Sequence, residues 1–136
     1  MTRPLVYAAV TRGVRVTVRS FFLEDQSEPQ QGRYVWAYRV EIANEGVVTV
    51  QLRARTWLIT DGQGRNQRVH GDGVVGEQPT LEPGEAFEYT SGTPLPTPSG
   101  FMRGMFHMVE TVSGEAFDAI VPPFSLDSPH QGGGVH

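Results

Sequence analysis

Hydrophobic and polar residues alternate with a period of two through most of the chain. Val14, Val16 and Val18 are separated by Arg15, Thr17 and Arg19, and Phe21 and Phe22 extend the run. That spacing predicts a half-buried strand. A polar loop with Pro29 and Gly32 follows. Tyr34, Trp36, Tyr38, Val40 and Ile42 then share one face of a long strand, with Val35, Arg39 and Glu41 on the other. Asn44-Glu45-Gly46 carries turn chemistry, so this strand and the next are expected to form a hairpin.

The segment from Val47 to Thr60 fits helical spacing as well as strand spacing at Val50, Ala54, Trp57 and Leu58. Its β-branched content and the hairpin context favour strand. Val48, Val50, Leu52 and Ala54 have one parity, while Trp57 and Ile59 have the other. A β-bulge between Ala54 and Trp57 would bring both sets to the same face.

Asp61-Gly62-Gln63-Gly64 ends that strand, and the polar run from Arg65 to His70 reads as an edge strand. Pro83-Gly84 predicts a type II turn before a strand that starts at Phe87 and Tyr89. Pro94, Pro96 and Pro98 exclude a helix in the next connection. Phe101 to Thr111 alternates again, Ser113-Gly114 turns, and Phe117, Ala119 and Val121 alternate up to Pro122-Pro123. About seven strands with regular turn signals predict an all-β antiparallel sandwich, immunoglobulin-like or fibronectin type III-like. Residues 1–13 read as an N-terminal extension, 14–128 as the sandwich, and the glycine-rich 129–136 as a flexible tail.

Composition narrows the chemistry. A chain of 136 residues with 38% hydrophobic content is one domain with room for a core. It has no cysteine, which removes disulfides, thiolate metal sites and thiol nucleophiles. It also has no lysine, which excludes Schiff-base chemistry and a Walker-type phosphate site. The net charge of −4 gives no footprint for nucleic acid or an anionic membrane. The apolar run Leu5–Val10 is too short to span a bilayer and lacks the layout of a secretory signal, so a cytoplasmic location without membrane insertion is expected.

One stretch invites a sharper reading. HGDGVVGEQP, residues 70–79, places Gly71, Gly73 and Gly76 in the spacing G-x-G-x-x-G. In a dinucleotide fold this turn leads from a strand into a helix whose N-terminus meets the pyrophosphate. Here Pro79 and Pro83 follow, so no such helix starts. An anion nest built from Gly71, Gly73 and Gly76 with Arg68 and His70 is the form of phosphate binding left open. The alternative is that the glycines only shape a turn and allow close backbone packing.

From Arg55 onward the chain resembles the ApaG family, also called CorD. The resemblance rests on WLITDGQGR at 57–65, HGDGVVGEQPTLEPGEAFEYTSG at 70–92, TPSGFMRGMFHM at 97–108 and VPPFSLDSP at 121–129. It extends more loosely upstream to about residue 14. It implies a fibronectin type III-like sandwich, an association with cobalt resistance and Co2+/Mg2+ efflux, and action through protein–protein interaction. The family often carries Tyr where Phe106 stands, so no hydroxyl role transfers to that position.

The remaining chemistry is sparse. Neither Ser91 nor Ser99 sits in a G-x-S-x-G elbow, and His107 reads as a surface or cross-strand residue. Glu82 and Glu85 flank a turn. Glu24 and Asp25 offer at most a weak magnesium contact. The expectation is therefore a non-enzymatic domain with no catalytic residues, no metal site and no cofactor, which binds an unidentified protein partner. Its alternative is a binder of a small phosphorylated ligand at 71–76. Met102, Met105, Met108, Phe101 and Phe106 occupy both faces of one strand, so part of this apolar set should face outward, towards a partner or a second copy.

Overall fold

A computed structural model describes residues 5–130. Within them the strands are β1 (Val6–Thr11), β2 (Val14–Phe22), β3 (Tyr34–Asn44), β4 (Val50–Asp61), β5 (Asn66–Asp72), β6 (Thr80–Leu81), β7 (Ala86–Leu95), β8 (Gly100–Glu110) and β9 (Ala116–Leu126). They form two antiparallel sheets. The first runs β1-β2-β3-β7; the second runs β5-β4-β8-β9, with β6 paired to the start of β4. The two inner faces enclose the core, so the sandwich expected from alternation is the observed architecture.

Two strands exceed the expected set. One is the short β6. The other is β1, which pairs with β2 from Val6↔Arg19 to Thr11↔Val14. The first sheet thus begins inside the segment 1–13 that alternation reads as an extension. Leu5, Val6 and Val10 are exposed while Tyr7 packs against the core, and because the run is apolar on both faces it shows no alternation that would mark a strand in sequence.

The hairpin expected across Asn44-Glu45-Gly46 does not form. Both edges of β3 are already occupied, by β2 and β7, so β4 has no place beside it and joins the other sheet. Asn44 makes this crossing. Its side-chain amide donates to the carbonyls of Val48 and Leu81 at 2.8 and 2.9 Å, and its Oδ1 accepts from Gly46 N–H at 3.0 Å.

The β4 bulge exists, but earlier than expected. Leu52 pairs with Met108 and Ala54 with His107, which leaves Arg53 as the extra residue. Val50 and Leu52 therefore face inward before it, and Trp57 and Ile59 after it. Ala54, Thr56, Leu58 and Thr60 are turned to the outer face. A second irregularity lies in β9, where Phe124 and Val121 partner Met102 and Gly104. The residues between them, Pro122 and Pro123, have no N–H for a ladder. The bulge lets Val121 and Phe124 both reach the core.

Trp57 anchors the centre. Its ring meets Tyr38, Phe106 and Phe124 edge-on at 5.4, 6.0 and 6.0 Å between centroids. Such pairs add about 0.5–1.5 kcal/mol each beyond the area they bury. Met102, Phe106 and Met108 are buried with them, whereas Phe101 is 44% exposed.

The tail expected at 129–136 is partly docked. The His130 ring packs on Phe22 and Tyr34, at 5.6 and 5.9 Å between centroids. Its Nε2–H donates to the Glu24 carboxylate at 3.1 Å, which also engages one of the two acidic residues considered for magnesium. Residues 131–136 lie outside the described residues. Among the described residues no helix is long and apolar enough to cross a membrane.

Candidate functional site

Cross-strand register brings a set of charged and polar side chains together on the outer face of the second sheet. Register sets it in rows. Leu58 pairs with Arg68 on one side and Arg103 on the other; Thr56 pairs with His70 and Met105; Ala54 pairs with Asp72 and His107. Met105 and His107 then pair with Ile120 and Asp118 of β9. The Arg53 bulge decides this face, because without it Thr56 and Leu58 would point into the core.

A shallow cavity of ≈ 420 Å³ lies there, with Leu58, Met105 and Ile120 as its apolar part and Arg68 and Arg103 at its sides. Each arginine is one strand away from Leu58, so their Cα atoms stand about 10 Å apart. Arg12, Arg15, Arg39 and Arg65 are each ion-paired with a carboxylate at 2.7–3.1 Å. Arg68 and Arg103 have no such partner among the described residues. Ile120 is 44% exposed, which makes this an open surface with two free cations beside apolar side chains.

Beside the cavity runs a hydrogen-bonded series. Asp118 Oδ1 is 2.7 Å from His107 Nδ1; His107 Nε2 is 2.7 Å from Thr56 Oγ1; that oxygen is 2.8 Å from His70 Nδ1. An ionised carboxylate only accepts, so His107 carries its proton on Nδ1. Neutral His107 then accepts from the Thr56 hydroxyl, whose oxygen accepts from His70 Nδ1–H. The series orders both rings. It also resembles a nucleophile–base–carboxylate arrangement. However, β4 is paired on both sides, so its amides are spent in ladders, and no pair of backbone donors faces Thr56. Ser91 lies on β7 of the other sheet, away from His107. Among the described residues no three His, Asp or Glu side chains gather as a metal-holding group.

The glycine-rich stretch resolves differently from a nest. Gly73 N–H donates to Arg53 C=O, Val74 N–H to Glu77 C=O, and Glu77 N–H to Val74 C=O, all at 2.8 Å. Val75 and Gly76, at φ 42° and 82°, form the centre of a two-residue turn with positive φ at both positions. That is the type I′ pattern. Arg55 Nη1 donates to the carbonyls of Asp72 and Gly73 at 2.9 and 3.0 Å. The turn thus presents oxygens to a cation, the opposite polarity to a phosphate cradle. Arg68 and His70 project from the outer face of β5, Arg68 into the outer cavity. The five residues considered for the nest therefore do not converge, because alternation along β5 sends Arg68 and His70 to one side and Gly71 to the other. Thr56 and Asp118 lie in none of the sequence motifs, and Arg103 sits in the TPSGFMRGMFHM stretch without marking a site there; cross-strand register unites them.

Comparison with known proteins agrees with the geometry of the whole domain. A family model described as the ApaG domain matches residues 24–110. The chain is 66% identical over 125 residues to Protein ApaG of Rhodospirillum centenum, covering 92% of this chain and 95% of that protein. It is 60% identical over 126 residues to Protein ApaG of Paramagnetospirillum magneticum, with coverage of 93% and 96%. The crystal structure of a Bordetella pertussis protein described as ApaA superposes with a TM-score of 0.83 at 48% identity, covering 87% of this chain and 95% of that one. The chain belongs to the ApaG domain family.

Proposed function

We propose that this ApaG-family chain is a non-enzymatic recognition domain. It acts on a protein partner in cobalt resistance and Co2+/Mg2+ efflux, through the outer face of its five-stranded sheet. The observation that carries this reading is the pairing of unpartnered Arg68 and Arg103 with the apolar Leu58, Met105 and Ile120 in one open hollow. On a chain of net charge −4, two free guanidinium groups select an acidic partner surface and steer its approach. Apolar side chains between them supply the contact area that charge alone does not. The family resemblance supplies the physiological setting.

Catalysis is less well supported, since Thr56 is held between two histidines and faces no oxyanion donors. Binding of a small phosphorylated ligand, the second reading of the sequence, shifts from the 71–76 turn to Arg68 and Arg103, two cations without an ion pair that line one hollow.

The test is cobalt tolerance in a strain lacking the gene, complemented by wild type or by Arg68→Glu/Arg103→Glu, with photo-crosslinking from position 120. Loss of tolerance by a variant with an unchanged melting temperature, together with a crosslinked protein that disappears in that variant, is the expected result. Full rescue by the double variant would sink the reading. Saturable chemical-shift changes at Arg68 and Arg103 with diphosphate, and no crosslink, would favour the small ligand.

A further inference from the structure

The sandwich is closed along one side and open along the other. Where β1 meets β9, Ile120 N–H donates to Thr11 Oγ1 at 3.1 Å and Ser125 N–H to the Tyr7 hydroxyl at 3.4 Å. At the opposite side the edges are β5 and β7, and between them lies a cleft of ≈ 380 Å³. Its walls include Tyr38, Trp57 and Tyr89, with Arg55, Gln67, Ser91 and Thr93 as polar members and Val75 at the glycine-rich turn. This space is on the inner side of the second sheet, separate from the outer-face hollow.

Two features of the cleft lack a structural explanation, and a third marks backbone strain at its rim. The Tyr89 side chain is buried, at 8% exposure, and its hydroxyl has no hydrogen-bond partner. A buried orphan of this kind carries a desolvation cost that native folds rarely leave uncompensated. Arg55 spends Nη1 on the two loop carbonyls, while its Nε and Nη2 have no partner among the described residues. Val75 holds φ 42°, a left-handed conformation that a β-branched residue rarely adopts.

We propose that this cleft binds a small aromatic carboxylate. The carboxylate accepts hydrogen bonds from the Tyr89 hydroxyl and from the free N–H groups of Arg55, and the flat ring lies against the Tyr38, Trp57 and Tyr89 wall. Burial pushes both tyrosine phenols above their ordinary range, with Ser91 and Arg55 opposing the shift at Tyr38. Both therefore remain O–H donors at neutral pH. The charge favours a carboxylate over a phosphate: one guanidinium balances one negative charge, and a dianion would leave charge unpaired in a low-dielectric cleft. The G-x-G-x-x-G turn then has a role as the roof, fixed by the same arginine that meets the ligand. This site does not depend on the outer-face reading.

The test is a backbone-amide and indole NMR titration of the full chain with 2-naphthoate, with 2-naphthamide and 2-naphthyl phosphate as comparators. Expected are saturable shifts at Tyr89, Ser91, Trp57 Nε1 and residues 71–76, with naphthoate the tightest of the three. Tyr89→Phe should fold at least as stably as wild type yet bind naphthoate about tenfold more weakly, the scale of one lost hydrogen bond to a charged group. Ser91→Trp, which fills the cleft, should abolish the shifts. Silence at these residues up to millimolar naphthoate overturns the proposal, as does equal affinity of Tyr89→Phe or preference for the phosphate.

Discussion

The guanidinium of Arg55 occupies the space that a side chain on Gly71 would need: a Cβ built there would stand 2.7 Å from Nη1. These two residues face each other across β4 and β5, and their contact lets Nη1 reach the carbonyls of Asp72 and Gly73. The first glycine of the motif is thus explained by an arginine rather than a phosphate.

Gly71→Ala should displace that guanidinium, the far end of a flexible side chain, and so destabilise the fold only modestly, by about 1 kcal/mol, the scale of the carbonyl hydrogen bonds it gives up. Urea denaturation reads this directly. Because both changes disturb one contact, Gly71→Ala and Arg55→Ala together should cost clearly less than their sum. Additive effects would mean that the contact carries no energy.

Val75→Asn should stabilise the protein by about 1 kcal/mol. Valine at φ 42° is strained, whereas asparagine tolerates the first central position of a type I′ turn, and the side chain given up is 56% exposed. Gly73→Ala should act in the opposite direction and more strongly, since φ is +62° and a Cβ would collide with the Glu77 carbonyl. Thermal melting of the two variants separates these effects; a lower melting temperature for Val75→Asn contradicts the strain argument.

The Asp118–His107–Thr56–His70 series fixes tautomers. Nitrogen-15 NMR at mildly alkaline pH should find both imidazoles protonated on Nδ1. Thr56→Val should release His70 to a mixture of tautomers, while His107, still held by Asp118 at 2.7 Å, keeps its own. Protonation of His107 on Nε2 in the wild type would refute the assignment.

Asp61 should govern acid stability at the β4–β5 turn. Burial acts to raise its pKa, but the N–H groups of Gln63 and Arg65 and the Arg65 guanidinium outweigh it and hold the carboxyl below its ordinary value. A depressed carboxyl contributes stability that is complete above its unfolded pKa of about 3.9 and fades as pH falls through the folded value. Asp61→Asn should therefore be less stable than wild type at neutral pH, with a gap that narrows below about pH 4. Urea melts across that range check it. A constant gap would assign the loss to geometry instead of charge.

Much of the fold was legible one strand at a time. The alternation of Val14, Val16 and Val18, and of Trp36, Tyr38, Val40 and Ile42, marked residues that are all buried. The parity break before Trp57 marked a real bulge. What failed was anything that depends on which strand lies beside which. The turn at Asn44 looked like a hairpin because local chemistry cannot know that β3 already has two neighbours. The strand β1 was missed because its apolar run, Leu5–Val10, is continuous and carries no period-two alternation to mark a half-buried strand.

The sequence by itself determined the all-β architecture, the lack of thiol and lysine chemistry, and family membership, because these depend on side-chain period, on composition and on long contiguous motifs. Only the tertiary structure decided the candidate sites. Thr56, His107 and Asp118 meet because three strands from distant parts of the chain align in one register, and a single extra residue at Arg53 sets the face they share. Tyr89 and Arg55 come together because two sheets leave one side open. Period-two alternation says which way a side chain points along its own strand; pairing between strands decides what it points at.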